Sequence, residues 1–197
     1  MKNILILTIL IICNPVCAFN RYLEKQEFMS LDATNGLISN EVTCIFQDSK
    51  GFIWLGTKNG LSKYDGYQCL NYKSNYLNPH FLSNNYITCI TEDKENRLWV
   101  GTKNGLNIID LPTNTTIELE DSTLKSTNIN DIVISKDSTI FIACEEEIFT
   151  YSNQTLMHIE LKRRGKDVAK SYINSLFIDS NEYLWISSWN NGYFVYD

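Results

Sequence analysis

Short apolar runs alternate with clusters of turn residues along most of this chain. The most regular stretch is residues 48–61, DSKGFIWLGTKNGL, and its pattern returns 45 residues later as DKENRLWVGTKNGL at residues 93–106. In each copy, a turn leads into a short apolar strand that carries Trp, and an Asn-Gly pair then leads into a second strand. Asn-Gly between two apolar runs predicts a hairpin with a type I′ turn, whose two central residues have positive φ.

This unit is repeated along the chain. Aligned without gaps, residues 37–65 and 82–110 are identical at 14 of 29 positions. Two weaker units follow, and the aromatic anchors of the four units are 45, 42 and 44 residues apart, at Trp54, Trp99, Phe141 and Trp185. Four-stranded units with this period are typical of β-propeller blades. The predicted fold is therefore all-β, with about four four-stranded antiparallel units that form an incomplete propeller.

The predicted blades define one domain behind an N-terminal leader. The chain has 197 residues, of which 44% are hydrophobic, and this is enough for a sizeable core. We place the domain at residues 19–197, with a first strand at 22–30 and blades at about 37–72, 82–120, 128–161 and 172–197. The fourth unit has three predicted strands, so two arrangements stay open. Residues 22–30 either complete that blade and close a four-bladed ring, or belong to a longer propeller. The second case leaves an open arc with an exposed apolar face around Trp185 and Phe194.

The other repeated residues have structural interpretations. The Asp that opens the first turn of a unit is expected to accept backbone N–H bonds, and the Trp after it to pack blade against blade. The Gly after Trp is expected to allow close approach of a neighbouring backbone. The positions interpreted in this way are Asp48, Trp54, Gly56, Gly60, Asp93, Trp99, Gly101, Gly105, Phe141, Asp179 and Trp185.

Residues 1–18 have the pattern of a secretion signal. One basic residue precedes an apolar run at residues 4–12, and the small residues at 16–18, VCA, suit a signal peptidase. The run is too short to span a bilayer as a stable anchor. A lipoprotein signal that uses Cys13 or Cys17 and an uncleaved anchor are the alternatives. The pattern predicts an exported, periplasmic chain whose mature part has no membrane span.

Charge and cysteine content narrow the classes of function. The net charge is −6, so the chain lacks the basic surface that nucleic-acid binding needs. Four cysteines remain after the leader, and their spacing matches no zinc pattern. Cys44 and Cys89 hold the same place in two repeats, which favours small buried hydrophobes, although an exported chain also permits a disulfide. The acids at Glu145–Glu147 are interpreted as a solvent-facing turn rather than a cation site. We predict no metal, cofactor or catalytic constellation.

The candidate ligand residues lie in the turns between the second and third strands of the units. Strand order places these turns on one face of the disc, together with the links between blades. The candidate ligand-binding residues there are Trp189, Asn190, Lys58 and Lys103. A sugar ring stacked on Trp189 is one interpretation, and a Trp packed over the next blade is the other. The basic run at residues 162–166 is interpreted as a solvated link, with a partner contact as the alternative.

At these repeated positions, the chain resembles the two-component regulator propeller repeat, which runs V-x-x-I, D-x-x-G, L-W-[IV]-G-T and G-L. The first copy matches at Val42, Ile45, Asp48, Gly51, Trp54, Gly56, Thr57, Gly60, Leu61 and Asp65. The second copy matches at Ile87, Ile90, Asp93, Trp99, Gly101, Thr102, Gly105, Leu106 and Asp110, whereas the third blade departs from the pattern. The order of leader, first strand and blades resembles the N-terminal periplasmic sensor region of Bacteroidetes hybrid two-component histidine kinases.

This resemblance implies a sensory function. Propellers of that family are periplasmic sensors, commonly for oligosaccharides, and they have more than four blades. A membrane helix, a kinase core, a receiver and a DNA-binding domain follow them in the chain. We therefore expect the opening portion of such a sensor, without enzymatic activity of its own. Its expected partners are an oligosaccharide and the remaining blades or a second sensor chain. A secreted interaction module without signalling output and a propeller enzyme acting on glycans are the alternatives.

The leader makes a direct prediction about processing. If residues 1–18 are removed by a signal peptidase, N-terminal sequencing of the exported protein should begin at Phe19. A mature N-terminus at Cys13 or Cys17 would instead establish the lipoprotein alternative.

Overall fold

Short antiparallel strands joined by tight turns make up most of the fold. The computed structural model describes residues 29–74, 82–119, 121–163, 166–167 and 171–196. The predicted leader, and all but the last two residues of the predicted strand at 22–30, lie outside these residues. Every strand described below belongs to one compact unit, Leu31–Asp197.

The strands follow one another in four groups, which we call blades one to four. Blade one contains β1 (Val42–Gln47), β2 (Ile53–Thr57), β3 (Gly60–Tyr64) and β4 (Cys69–Tyr72). Blade two contains β5 (Ile87–Glu92), β6 (Arg97–Thr102), β7 (Gly105–Asp110) and β8 (Thr115–Ile117). Blade three contains β9 (Ile129–Ile134), β10 (Ile140–Cys144), β11 (Glu147–Ser152) and β12 (Thr155–Ile159). After the short strands β13 (Lys162–Arg163) and β14 (Lys166–Asp167), blade four contains β15 (Ile173–Ile178), β16 (Leu184–Ser188) and β17 (Gly192–Tyr196).

Each blade is an antiparallel sheet in which chain neighbours are also sheet neighbours. This confirms the predicted all-β fold of propeller blades. Among the described residues, blade four has three strands, and one 3-10 turn (Thr123–Lys125) lies in the link from blade two to blade three. In the link after blade three, β13 and β14 pair antiparallel, which the sequence did not predict.

The blades pack on one another through their first strands. Strand β1 packs against β5, β5 against β9, and β9 against β15. The second strand of blades one to three also contacts the first strand of the following blade. Three apolar clusters fill the junctions between blades one and two, two and three, and three and four. The core is therefore distributed between blades, as expected for sheets that bury their faces against neighbours.

The aromatic residue of the second strand occupies these junctions. Trp54 and Trp99 are completely buried, which confirms their predicted packing between blades. Phe141 is partly buried in the junction of blades three and four. Trp185 is 38% exposed, because no described blade covers its side of blade four.

The structure bears on two expectations about aromatic residues of blade four. Phe194 was expected on the exposed face of blade four with Trp185, but it packs towards blade three. Side chains alternate along a strand, and Trp185 is paired with Val195 whereas Phe194 is paired with Ile186. Trp189, whose exposure the sequence left open, is 64% exposed among the described residues, in which no blade follows blade four.

An aspartate connects each first turn to the Trp that follows. In blade one, Oδ1 of Asp48 accepts the N–H groups of Lys50 and Phe52 at 3.0 and 2.9 Å. Its Oδ2 accepts the indole N–H of Trp54 at 2.9 Å. The backbone bonds confirm the prediction, and the indole bond is an addition that the sequence pattern did not suggest. A buried indole N–H needs such an acceptor, because an unpaired one costs about 1–3 kcal/mol.

The same arrangement recurs in two further blades. The indoles of Trp99 and Trp185 donate to Asp93 and Asp179 at 2.7 and 2.9 Å. The Trp185 bond is the largest cause that holds the pKa of Asp179 below its usual value. In blade two, the Nε of Arg97 also donates to Oδ2 of Asp93, at 2.6 Å.

Blade three replaces both partners of this pair. Phe141 has no N–H to donate, and Ser135 stands where the other blades have Asp. The turn is held instead by Asp137, which accepts the Thr139 N–H at 3.0 Å, while Ser135 Oγ donates to the Thr139 carbonyl at 3.0 Å. The carboxylate is thus absent from this position in the one blade whose anchor has no indole.

Gly56 and Gly101 are required for a different reason from the predicted one. A Cβ on Gly56 would lie 2.4 Å from Cys44 Sγ and 2.7 Å from Ile87 Cγ2, so side chains rather than a neighbouring backbone crowd this position. Gly101 is crowded in the same way by Cys89 and Ile129.

The predicted type I′ turns are also wrong. The register places Lys58 and Asn59 at the centre of the first turn, and neither has positive φ. The positive φ belongs to the next residue, Gly60 at +135°, where a Cβ would lie 2.6 Å from the Tyr72 carbonyl oxygen. Thr57 Oγ1 closes the turn by donating to the Gly60 carbonyl at 2.8 Å. Gly105 repeats this geometry in blade two, with φ +115°.

The replacement in blade three suggests a double-mutant cycle in blade one. Asp48→Asn keeps the size of the side chain but places an amide where the indole of Trp54 requires an acceptor, so we expect a loss of about 1–3 kcal/mol in urea unfolding. In a Trp54→Phe background the same change should cost about 1 kcal/mol less, because no indole remains to be satisfied.

Asp65→Asn provides the matched control for this cycle. Asp65 caps an exposed turn through the N–H groups of Tyr67 and Gln68, and no indole of the described residues donates to it. Its cost should be equal in both backgrounds. Strict additivity of Asp48→Asn and Trp54→Phe would contradict the proposed linkage.

The burial of the tryptophans gives a second stability prediction. Trp54→Ala or Trp99→Ala should lower the free energy of unfolding by about 3–5 kcal/mol, since each empties a large buried site. Trp189→Ala should cost far less, because most of that side chain already faces solvent. Equal losses for the three variants in urea melts would contradict this assignment.

Candidate functional site

The turns between second and third strands place the predicted ligand residues at equivalent positions of three blades. The backbone N–H of Lys58 donates to the Glu41 carbonyl at 3.1 Å, and that of Lys103 donates to the Tyr86 carbonyl at 3.0 Å. In blade four, Trp189 N–H donates in the same way to a carbonyl just before β15, at 2.8 Å. Because these turns follow second strands, they share one face of the arc, which we call the link face.

The two lysines of the link face differ in their partners. Lys58 Nζ lies 2.6 Å from Glu41 Oε1, an ion pair between two solvent-exposed side chains. The hydrogen bond to Glu41 is the largest cause that raises the pKa of Lys58. Lys103 Nζ instead lies 5.4 Å from the centre of the Tyr86 ring, within the range of a cation–π contact. An anionic ligand would therefore find Lys103 less neutralised by its surroundings than Lys58.

Blade four presents an aromatic residue on the same face. Asn190, next to Trp189, has a φ of +76°, in the left-handed region that Asn tolerates better than most residues. Ser171 Oγ donates to the Trp189 carbonyl, and this bond helps to hold the turn against the preceding link. The turn thus holds Trp189 as an exposed aromatic surface on a fixed backbone.

Sequence reasoning missed a polar network beside this Trp. The hydroxyl of Tyr172 donates to Asn130 Oδ1 at 2.8 Å and accepts from Asn128 Nδ2 at 2.8 Å. Asn128 Nδ2 also donates to Asn130 Oδ1, and Asn130 Nδ2 reaches the Ile173 carbonyl at 2.6 Å. These residues join blade three to blade four next to Trp189, since Tyr172 is the residue whose carbonyl accepts its N–H.

One atom of this network stands out. Oδ1 of Asn128 is buried and has no hydrogen-bond partner within the part of the chain that the structure describes. A buried acceptor left without a donor costs about 1–3 kcal/mol, so this oxygen weakens the junction of blades three and four. The only sequence signal for these residues was their position in or beside the links between blades. That signal was not decisive, because Asn and Tyr are also common in ordinary turns.

A second unpredicted residue is Asp131, which stands in blade three where Cys44 and Cys89 stand in blades one and two. Oδ2 of Asp131 accepts the Leu176 N–H at 2.8 Å and so ties β9 to β15. Burial raises the pKa of Asp131 despite this bond. Burial is the main cause that raises the pKa of Cys44 and Cys89, and the charge of Asp131 adds to it in both cases.

The cysteines behave as small apolar residues. All four described cysteines are free, and this agrees with the interpretation of Cys44 and Cys89 as packing residues. Burial raises the pKa of Cys44 to about 11 and that of Cys144 to about 12. Near neutral pH these thiols are therefore protonated and poor nucleophiles.

Other features lie away from the predicted residues. A groove of about 650 Å³ between the outer strands of blades two and three is lined by Arg97, Glu118, Tyr151 and Gln154, among others, and contains none of the predicted ligand residues. Glu145–Glu147 are exposed, and within the described ranges no group of three His, Cys, Asp or Glu residues could hold a metal ion.

Comparison with known proteins gives two sequence matches and a shared fold. Residues 36–59 and 82–104 match the two-component regulator propeller repeat. No protein among curated sequences matches the chain. The extracellular domain of a protein from B. thetaiotaomicron described as a one-component system has 21% sequence identity and a TM-score of 0.69, over 83% of this chain and 22% of that chain.

Two further solved structures share the fold. A second structure of the same extracellular domain from B. thetaiotaomicron, whose protein is there called a hybrid two-component system, has 21% identity and a TM-score of 0.51, over 86% of this chain and 28% of that chain. Catalytically inactive virginiamycin B lyase from Staphylococcus aureus, with quinupristin, has 15% identity and a TM-score of 0.60, over 85% and 58%.

These likenesses are informative about the fold. The chain spans less than a third of the B. thetaiotaomicron extracellular domain in either of its structures. At such identities, a lyase and signalling proteins can share an architecture without sharing chemistry. The two repeat matches each cover the loop before a blade, its first two strands and the turn that follows. The chain therefore carries two-component regulator propeller repeats in blades one and two of a β-propeller fold.

Proposed function

We propose that this chain is the ligand-sensing propeller portion of a periplasmic hybrid two-component sensor, and that its ligand is an oligosaccharide. The observation that carries the proposal is the match of residues 36–59 and 82–104 to the two-component regulator propeller repeat, in register with blades one and two. The likeness to the extracellular domain of a signalling protein from B. thetaiotaomicron, seen in two structures, supports the same assignment at the level of fold.

The link face of blade four has the chemistry that a sugar requires. A sugar ring offers an apolar C–H face and a rim of hydroxyl groups. Trp189 provides an exposed aromatic surface for the first. Asn190 adds an amide in the same turn. A site for a small ligand usually combines an apolar or aromatic surface with a small number of polar groups that point towards the ligand.

The two lysines of the link face should favour acidic sugars over neutral ones. Lys103 is accompanied by an aromatic ring, whereas Lys58 is paired with Glu41. Acidic oligosaccharides should therefore gain more from Lys103 than from Lys58. Comparing Lys103→Ala with Lys58→Ala separates these contributions.

A sensing role requires that the chain is exported and that this part of it catalyses no reaction. Export rests on the leader pattern of residues 1–18, and the absence of catalysis rests on the family resemblance. Within the described residues, no helix is long and apolar enough to cross a membrane. Kinase sequence in the DNA downstream of the codon for Asp197 would support the signalling role over that of a secreted interaction module.

The binding experiment titrates the full chain with short oligosaccharides of defined structure, both neutral and uronic-acid-containing, and follows Trp fluorescence and heat. Trp189→Ala should weaken binding of a responsive sugar by at least tenfold, which is about 1.4 kcal/mol. Stacking on an exposed ring is lost by this change, whereas the fold is retained.

Tyr67→Ala is the matched control, because Tyr67 is an exposed aromatic in the turn between β3 and β4, on the opposite face. It should leave the affinity unchanged. A folded chain that binds none of the sugars would contradict the oligosaccharide ligand. Sugar binding that is insensitive to Trp189→Ala would contradict the site, and turnover of the sugars would favour a propeller enzyme.

A further inference from the structure

A groove runs along the outer rim of the arc, between the outer strands of blades two and three. It consists of a cavity of about 650 Å³ and a smaller one of about 260 Å³, and both are lined by Arg97, Tyr151 and Gln154. The two blades pack on each other beneath it through the cluster of Trp99. Both walls therefore belong to neighbouring described blades, and the larger cavity has the size of a ligand site.

The same place between blades one and two is filled. Tyr72 is buried there, with its ring centre 5.7 Å from that of Trp54, and its hydroxyl donates to Asn114 of blade two at 3.3 Å. Ile109 and Leu111 of blade two pack into the same cluster. Apolar side chains and one hydrogen bond thus close the rim of the first junction.

Polar residues take the equivalent positions beside the groove. Three apolar residues of blades one and two are replaced one blade later, at the spacing of the aromatic anchors: Ile109 by Tyr151, Leu111 by Asn153 and Phe52 by Arg97. The hydroxyl of Tyr151 has no hydrogen-bond partner within the described part of the chain. The second junction therefore has polar groups at an open rim where the first is apolar and closed.

Gln154 lies in a strained turn beside the groove. Ser152 pairs with Thr155, so Asn153 and Gln154 are the central residues of the turn between β11 and β12, with φ of +48° and +62°. Gly is the usual second residue of such a turn, because positive φ is unfavourable for other side chains. The amide of Gln154 makes no hydrogen bond to any residue that the structure describes. The turn thus keeps an unfavourable residue whose amide adds no hydrogen bond to this part of the fold.

Each cavity contains a carboxylate without a cationic partner. Asp137 lines the smaller cavity and Asp121 the larger one, and no Lys or Arg nitrogen of the described residues lies within 4 Å of either. A hydrogen bond from Ser135 is the largest cause that lowers the pKa of Asp137, and one from Thr123 does the same for Asp121. Both carboxylates are therefore ionised near neutral pH and attract a cation.

Arg97 does not neutralise these two carboxylates. Its Nε donates to Asp93 at 2.6 Å, and a terminal nitrogen donates to Glu95 at 3.2 Å. A guanidinium has five N–H groups, so others remain for a ligand in the cavities that Arg97 lines. A small free amine would meet repulsion from these donors, whereas a peptide offers them carbonyl oxygens. The groove therefore combines acceptors for a cation with donors for a carbonyl.

We propose that this groove binds an extended peptide segment of a partner protein, in which basic side chains lie two residues before and after an aliphatic one. Residues i and i+2 of an extended segment point to the same side, so all three side chains face the groove. The aliphatic side chain packs against Ile117 and Leu156, and the basic ones meet the carboxylates. Arg97 donates to a peptide carbonyl, and the amide of Gln154 pairs with a peptide amide. The proposal is independent of the sugar site on the link face.

The test titrates the full chain with the capped peptides acetyl-KALAK-amide and acetyl-EALAE-amide, and follows heat and Trp fluorescence. Trp99 is a suitable reporter, because its ring centre lies 5.2 Å from that of Tyr151. We expect the basic peptide to bind about tenfold more tightly than the acidic one, and its affinity to fall as salt is added.

Gln154→Gly separates binding from folding. This change relieves the positive φ, so the variant should unfold at a higher urea concentration than the wild-type chain, yet it should bind the basic peptide about fivefold more weakly. Glu145→Gly is the matched control, because Glu145 has a φ of +41° and lines neither cavity. It should leave the affinity unchanged.

Asp121→Asn tests the charge of the groove. It removes one negative charge, as Glu145→Gly does, so a general attraction to an acidic chain would make the two variants equal. Weaker peptide binding by Asp121→Asn alone supports the groove.

Four outcomes would overturn the proposal. The first is a folded chain that binds neither peptide up to about 1 mM. Equal affinity for both peptides would contradict the charge complementarity, and affinity that Gln154→Gly leaves unchanged would place the peptide elsewhere. Binding of neutral oligosaccharides, but not of peptides, that is lost in Gln154→Gly would assign the groove to a sugar.

Discussion

In three of the four blades, one aspartate accepts both the N–H groups of its turn and the indole N–H of the Trp six residues later. This bond allows the large side chains of Trp54 and Trp99 to be buried completely, because the one polar group of each ring is satisfied within its own blade. The apolar remainder of the ring is then available to the neighbouring blade. Turn geometry and packing between blades are thereby connected through a single carboxylate.

The third blade illustrates the same constraint from the other side. Once Phe141 replaces the indole, a carboxylate buried at the position of Ser135 would have no N–H from the ring to offset its desolvation. The blade instead caps its turn with Asp137, which lies further out. The departure of this blade from the repeat therefore follows a physical rule and does not disturb the packing of blades three and four.

Dependence on neighbours shapes the rest of the molecule. A blade is a thin sheet that cannot bury both of its faces alone, so it needs an adjacent blade on each side. Inside the arc this need is met by the three clusters, and at the ends it leaves Phe177 and Ile45 exposed. The link face is free of this requirement, since its residues lie in turns. Trp189 can therefore be exposed there, and Asn128 and Tyr172 can form a polar network at the edge of the junction.

Much of the architecture was determined by the sequence alone. Apolar alternation, turn residues and the spacing of Trp54, Trp99, Phe141 and Trp185 are local signals, and they were sufficient to predict the strands and their grouping into blades. Strand pairs within a blade are neighbours in the chain, so register followed from short turns. The capping role of Asp48 was predictable for the same reason, since its partners are two and four residues away.

Only the tertiary structure decided what depends on contacts between blades. Gly56 is required by an isoleucine 31 residues away, which no local pattern reveals. The exposure of Trp189, the burial of Trp54 and the intermediate exposure of Trp185 differ although all three are tryptophans in or beside similar hairpins. The Asn128 oxygen that has no hydrogen-bond partner among the described residues likewise lies where blade three meets blade four. Burial is a property of the surroundings in space, and the order of residues along a strand specifies a face but not what covers it.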